Sequence, residues 1–141
     1  MITEVSFIGI LVRDIEEAQA HFIKAFGLKP GDLGIVEMPG AKAVMLPVGS
    51  CSIELLQPTV GTDAPVGGDL ARRLGKYGEG VCRLGLWVDN LDKEIVRLKK
   101  KGFPIVDTGE YGKIGEEMGA RMALIHPKAT HGVLIELDQQ I

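Results

Sequence analysis

The chain reads Ile8-Gly9-Ile10-Leu11-Val12-Arg13-Asp14-Ile15 near its start, and it repeats this pattern as Leu84-Gly85-Leu86-Trp87-Val88-Asp89-Asn90-Leu91. Each copy joins an apolar run, typical of a strand, to an Asp or Asn, which are favoured residues at the start of a helix. A second pair follows in the same order, with Ile53-Glu54-Leu55-Leu56-Gln57 matched by Ile135-Glu136-Leu137-Asp138-Gln139. A repeat of this length indicates two related modules rather than a solenoid of short units.

The patterns between these segments predict an α+β fold. In the first module, strands are predicted at residues 5–12, 33–38, 42–48 and 51–57, with a helix from Asp14 to Gly27 after the first strand. In the second module, strands are predicted at 81–88, 103–107, 120–126 and 132–138, with a helix from Asn90 to Gly102. Each module therefore reads βαβββ.

We expect the two modules to form a cupped, barrel-like mixed sheet with the helices outside, within one domain spanning 1–141. Module one covers about 5–58 and module two about 81–138. The connector at 59–80 is rich in Gly and Pro and is predicted to hold a short helix around residues 70–74. A glycine-rich loop runs from Gly109 to Gly119, and such loops are often surface excursions or lids over a ligand.

Side chains alternate between the two faces of a strand, which assigns the strand residues to faces. The face toward the helices is predicted to carry Ile8, Ile10, Val12, Ile53, Leu55, Leu84, Leu86, Val88, Val133, Ile135 and Leu137. The opposite face is predicted to carry Phe7, Leu11, Glu54, Arg83, Trp87, Glu136 and Asp138. Charged side chains on this second face are costly to bury and therefore suggest a function.

Composition excludes several classes of partner. The 141 residues carry a net charge of −3, which provides no basic surface for nucleic acid. No apolar stretch reaches the ~20 residues of a membrane span, and no signal peptide is visible. Cys51 and Cys82 fall in apolar strand patterns, which predicts buried, unreactive thiols and a cytoplasmic protein rather than a disulfide framework.

The two-module pattern resembles the vicinal oxygen chelate superfamily, which includes glyoxalase I, bleomycin-resistance proteins and extradiol dioxygenases. Within it, the chain is most similar to the methylmalonyl-CoA epimerases. The matching segments are residues 8–18, 53–58 and 78–80, and the run His126-Pro127-Lys128-Ala129-Thr130-His131-Gly132-Val133-Leu134-Ile135-Glu136-Leu137. The resemblance extends from about residue 5 to 138, and it implies a homodimer.

Metal-dependent members of this superfamily bind a divalent ion with four side chains, on the first and last strand of each module. By position, these are Phe7, Glu54, Arg83 and Glu136, where the family usually has His at the first and third. A phenyl ring cannot ligate a metal, and an arginine is a permanent cation that repels one. We therefore predict that the chain binds no metal at these positions and needs no cofactor.

The same substitutions suggest a catalytic site without a metal. Two inward carboxylates in an apolar cavity repel each other and lose hydration, and a guanidinium group between them offsets both costs. We therefore expect Arg83 to pair with Glu54 and Glu136, and we take these three as candidate catalytic residues. The alternative is a structural ion network inherited from a metal site.

Four further residues are candidates for contact with a small-molecule substrate. Phe7, Leu11 and Trp87 lie on the same predicted face as the charged residues, and each has plain core packing as its alternative. Lys42 falls near a position that some epimerases use for acid or base chemistry.

Three functions remain open from the sequence. The first is a metal-independent isomerase or lyase that transfers a proton on a small carbonyl or acyl substrate. The second is a divalent-metal epimerase or glyoxalase-like enzyme resembling methylmalonyl-CoA epimerase. The third is a non-catalytic protein that binds a small molecule, as the bleomycin-resistance proteins do.

Overall fold

The computed structural model describes residues 1–65, 67–106 and 119–141. Its elements are strands β1 (Ile2–Leu11), β2 (Val36–Met38), β3 (Ala41–Val48), β4 (Cys51–Pro58), β5 (Gly80–Val88), β6 (Ile105–Val106), β7 (Ala120–Ile125) and β8 (Leu134–Gln140), and helices α1 (Ile15–Phe26), α2 (Gly68–Tyr77) and α3 (Leu91–Lys100). A single 3-10 turn, Pro127–Ala129, precedes β8. The order βαβββ therefore occurs twice, as predicted. The predicted loop from Gly109 lies outside the described residues except for Gly119.

The chain divides into two compact units. The first unit comprises Ile8–Val81, and the second unit comprises Met1–Phe7 together with Cys82–Ile141. The sequence pattern assigns Phe7 to module one, whereas the structure groups it with the second half of the chain. The organisation into one domain stays a prediction.

Each unit has its own set of strands. Their order is β2-β3-β4-β1 in the first unit and β1-β5-β8-β7-β6 in the second. In the second unit β5 and β8 are parallel, while β6–β7 and β7–β8 are antiparallel. In the first unit β2–β3 and β3–β4 are antiparallel. The predicted α+β class with a mixed sheet is confirmed.

Helices α1 and α3 begin at the residues that the sequence predicts. Asp14 Oδ1 accepts a hydrogen bond from the Glu17 amide at 3.1 Å, and Asn90 Oδ1 accepts one from the Lys93 amide at 2.9 Å. These side chains satisfy backbone donors that a helix leaves open in its first turn. Gly27 ends α1 with a φ of 66°, a left-handed conformation that favours glycine.

A second residue supports each helix start, and the repeat supplies it in both units. Gln57 Oε1, on the last strand of the first unit, accepts from the Ile15 amide at 2.9 Å. Gln139 Oε1 makes the equivalent bond to the Leu91 amide at 2.6 Å in the second unit. Each glutamine therefore ties the closing strand of its unit to the first turn of the helix.

The helix-facing sides form the two hydrophobic cores. In the first unit the core consists of Val12, Ile15, Val44, Leu46 and Leu55, with Ile10 and Ile53 packed against it. In the second unit it consists of Val88, Leu91, Ala123, Ile125 and Leu137, with Leu86 and Ile135 packed against it. The predicted faces are confirmed for these strand residues.

Two predictions of burial are wrong. Ile8 is 38% exposed, so it does not join the core expected on the helix-facing side of β1. Cys51 is only half-buried and its Sγ donates to the Ser52 carbonyl at 3.6 Å, whereas Cys82 is buried as expected. Among the described residues, no helix has the length and apolar character needed to cross a bilayer.

Candidate functional site

The second unit gathers charged side chains on the sheet face opposite α3. Arg83 on β5 forms an ion pair with Glu136 on β8 through its Nη2 and the Glu136 Oε2. Both residues are buried, at 7% and 5% exposure, although each carries a formal charge. The parallel register of β5 and β8 sets Gly85 beside Glu136, which brings Arg83 within reach of that carboxylate. We call Phe7, Arg83, Gly85, Glu136 and Asp138 the arginine cluster.

The Phe7 ring packs against Arg83 in the arginine cluster. The Arg83 Cζ lies 5.4 Å from the centroid of the Phe7 ring, within the range of a cation–π interaction. Gly85 makes room for the ring, because a Cβ at that position would collide with the Phe7 Cδ1 and Cε1. The glycine that the repeat conserves at position 85 therefore has a packing role here.

Asp138 is the member of the cluster that the sequence places on this face but does not single out as a candidate site residue. It is 4% exposed and follows Glu136 by two residues on β8, on the same face. Burial raises the pKa of Asp138 to about 8, and the neighbouring charge of Glu136 and a hydrogen bond with it act in the same direction. A hydrogen bond with Ser6 and the charge of Arg83 lower that pKa, but less strongly.

The alternation along β8 was sufficient to place Asp138 on this face, but an aspartate near a chain end is usually solvated. Its burial depends on the strands beside it, where Trp87 and Met122 are its register partners. The cluster thus combines a carboxylate, a carboxyl group that is protonated at neutral pH, and a guanidinium group. Such a set can bind an anionic oxygen and exchange a proton.

Glu54 occupies the equivalent position in the first unit. It lies on β4 opposite Met45 of β3 and is only 3% exposed, among the buried apolar residues Ala43 and Leu56. Leu11, on the neighbouring strand β1, is fully buried. The expected pairing of Glu54 with Arg83 stays a prediction, because these residues belong to different units.

The remaining two candidates have different surroundings. Trp87 is half-buried on β5, and its carbonyl accepts from the Thr3 hydroxyl at 3.2 Å. Lys42 on β3 lies 4.0 Å from Glu16 of α1, and its strand neighbours Val44 and Leu46 on the same face belong to the helix-facing core. The structure therefore places Lys42 on the opposite face of the sheet from Glu54 and does not bring these two residues together.

Lys42 instead lines an open groove of about 580 Å³ in the first unit. The other lining residues are Glu37, Met38, Ala41, Gln57, Pro58, Thr59 and Val60. The role of Lys42 in substrate binding stays a prediction.

The donor set of the arginine cluster does not fit a divalent metal. Of the three family ligand positions in the second unit, one is a phenyl ring, one a guanidinium group and only Glu136 a possible ligand. Zinc in proteins takes four N, S or O ligands, and calcium or magnesium takes six or more oxygens. Among residues 1–65, 67–106 and 119–141, no three His, Cys, Asp or Glu side chains come together as metal ligands.

The chain is similar in sequence to several known proteins. A sequence model described as the Glyoxalase/Bleomycin resistance protein/Dioxygenase superfamily matches residues 7–123. The mitochondrial methylmalonyl-CoA epimerase of Homo sapiens is 33% identical over 132 residues, covering 94% of this chain and 71% of that protein. An ethylmalonyl-CoA/methylmalonyl-CoA epimerase of Cereibacter sphaeroides is 29% identical over 139 residues, covering 99% of both chains.

A solved structure shares the fold over nearly its full length. It is a methylmalonyl-CoA epimerase in complex with methylmalonyl-CoA and NH4+, with 26% identity and a TM-score of 0.80. The match covers 99% of this chain and 96% of that one. These relatives favour the second function predicted from the sequence, a divalent-metal epimerase, over the first, a metal-independent isomerase or lyase. The expected independence from metal is not confirmed by them and stays a prediction.

Proposed function

Because the chain belongs to the glyoxalase/bleomycin resistance protein/dioxygenase superfamily, we propose that it is an epimerase of a malonyl-type CoA thioester, with methylmalonyl-CoA as the first candidate substrate. The observation that carries this proposal is the similarity to methylmalonyl-CoA epimerases over more than nine-tenths of the chain. The solved relative that binds methylmalonyl-CoA supports the same substrate class. The cytoplasmic location and the homodimer expected from the sequence stay predictions.

The proposed reaction inverts the carbon between the carboxylate and the thioester. A base removes the proton on this carbon, and the electron pair moves to the thioester oxygen to give an enolate. An acid then returns a proton to the opposite face of the same carbon, so the net reaction changes only the configuration. This chemistry needs two proton carriers and a positive charge near the developing oxyanion.

The chain offers residues for each of these roles. Glu54 and Glu136 are buried at equivalent positions of the repeat, and we propose each of them as a candidate for a proton carrier. Arg83 supplies a permanent positive charge beside Glu136. Asp138, whose pKa of about 8 keeps it protonated at neutral pH, supplies a hydrogen-bond donor to an anionic oxygen.

Hydrogen exchange in D2O tests the proposal directly. Purified protein incubated with (R)- or (S)-methylmalonyl-CoA should replace the hydrogen at C2 with deuterium, seen as a mass increase of about 1 Da and as loss of optical purity. Substitutions Glu54→Gln and Glu136→Gln should each reduce the exchange rate by at least about 100-fold, within the range for removing a general acid or base.

A matched control separates chemistry from folding. Glu94 is as buried as the two candidate glutamates, but it lies on α3 and pairs with Arg97 at 2.6 Å. The variant Glu94→Gln, checked by circular dichroism, should keep the exchange rate within a few fold of the unmodified protein. No exchange with either enantiomer, together with tight binding of the thioester, would instead support the binding function that the sequence leaves open.

A further inference from the structure

The positive charge of the arginine cluster is carried by a side chain of the protein, that of Arg83. We propose that the guanidinium group of Arg83 is the resident cation of this site, so that the positions of Phe7, Arg83 and Glu136 bind no divalent metal ion. The inference goes beyond the proposed function and does not depend on the identity of the substrate. It concerns which positive charge the site uses.

The first support is the chemistry of the three side chains. Glu136 is the only oxygen donor among them, and its Oε2 already accepts the Nη2 hydrogen bond of Arg83. An arginine guanidinium group stays protonated in proteins, and it has donors only. A metal ion would therefore have one ligand from these three positions, with only the Asp138 carboxyl group beside it, and would stand next to a fixed like charge.

The second support is packing. The Phe7 ring lies under the guanidinium group at 5.4 Å, and both residues are buried. Gly85 has no side chain where the Phe7 ring lies, so the ring fits against β5 without a steric clash. The side chains of Phe7 and Arg83 therefore occupy the two positions where the superfamily usually has histidines, and they pack against each other.

The third support is charge compensation. A buried carboxylate without a counter-charge is costly, and removing one partner of a buried ion pair is strongly destabilising. Arg83 neutralises Glu136 without any added ion. The described parts of the chain contain no group of three metal-ligating side chains that could form a metal site at another place.

Cobalt is a suitable probe because its d–d absorption reports coordination without any substrate. The unmodified protein, purified and dialysed, should contain less than about a tenth of an equivalent of zinc, cobalt, nickel or manganese by plasma mass spectrometry. Titration with CoCl2 should produce no d–d bands beyond the weak absorption of the hydrated ion. Outer-shell residues alone change metal affinity by about 10–100-fold, so adding two ligands should have at least that effect.

The double variant Phe7→His/Arg83→His restores the residues that the superfamily usually has. It should gain one Co2+ site with d–d bands and an affinity at least about 100-fold above that of the unmodified protein. Adding Glu136→Gln to the double variant should weaken this binding again. The matched control is Phe7→His/Arg83→Lys, which keeps the positive charge and should bind no cobalt.

Two results would overturn the inference. One is a stoichiometric metal in the unmodified protein that disappears in Glu136→Gln. The other is a double variant that is folded by circular dichroism yet binds no cobalt. If the double variant does not fold, the titration of the unmodified protein and of Arg83→His decides alone. Since no thioester is present, failure here is distinguishable from failure of the proposed epimerase activity.

Discussion

Asp138 shows how one residue sets the electrostatics of the arginine cluster. It faces the carboxylate of Glu136, the guanidinium group of Arg83 and the hydroxyl of Ser6, all in the second unit. Two ionised carboxylates so close together would repel each other, and burial removes the water that would screen them. One proton on Asp138 relieves both costs, which leaves Glu136 as the partner of Arg83.

This arrangement predicts a pH-dependent stability. Asp138 holds its proton in the folded state up to a pH of about 8, whereas an ordinary aspartate loses it near 3.8. The folded state therefore binds the extra proton between these values, and the stability it contributes falls as the pH rises. The slope for one such proton is at most about 1.4 kcal/mol per pH unit.

Urea unfolding at several pH values from 4 to 9 checks this prediction. The variant Asp138→Asn keeps the size and the neutral charge but does not titrate, so its stability relative to the unmodified protein should increase steadily with pH. Asp63→Asn, at an exposed position, is the control and should show no such trend. Parallel stability curves for Asp138→Asn and the unmodified protein would contradict the prediction.

At the level of elements, much of the fold is present in local sequence signals. Asp14 and Asn90 predict the helix starts because their side chains satisfy open amides, and this is a local effect. Strand alternation predicts which residues of β4 and β8 reach the cores. The failures are non-local: Ile8 is exposed although its alternation is correct, because burial depends on what other elements cover a strand.

The two glutamines that support the helix starts illustrate the same limit. Gln57 and Gln139 recur at the same place in both repeats, but the local sequence does not predict which group a glutamine at the end of a strand bonds to. Only the fold shows that each accepts from the first amide of its helix. The repeat itself is the signal that would have found them.

These bonds predict a specific loss of stability. Replacing Gln57 or Gln139 with Met keeps the length of the side chain but leaves a partly buried amide without its acceptor. Each change should lower the free energy of unfolding by about 1–3 kcal/mol, the cost of an unsatisfied buried group. Gln140→Met, at the exposed neighbouring position, should change it by less than about 0.5 kcal/mol. Equal effects at positions 139 and 140 in chemical denaturation would refute this role.

At the scale of the whole molecule, the repeat defines two units and gives each a buried glutamate at the same position. The sequence was sufficient to select Glu54, Arg83 and Glu136, because charged residues stood out on an otherwise apolar face. The ion pair of Arg83 with Glu136 is confirmed, whereas Asp138 required the strands on both sides of it. The site therefore depends on long-range register more than on any motif.

Binding of the substrate by the folded protein should stabilise the whole molecule. A ligand at about 100 times its Kd adds roughly 2.7 kcal/mol, which corresponds to a rise in Tm of roughly 8 °C for a chain of this size. Methylmalonyl-CoA should therefore raise Tm more than free CoA, because only methylmalonyl-CoA carries the acyl oxygens that Arg83 and Asp138 are proposed to bind. In Arg83→Met the difference between the two ligands should largely vanish, while Arg73→Met, at a residue outside the arginine cluster, should retain it. Equal shifts with CoA and methylmalonyl-CoA in differential scanning fluorimetry would show that the acyl group is not recognised, whatever the exchange assay reports.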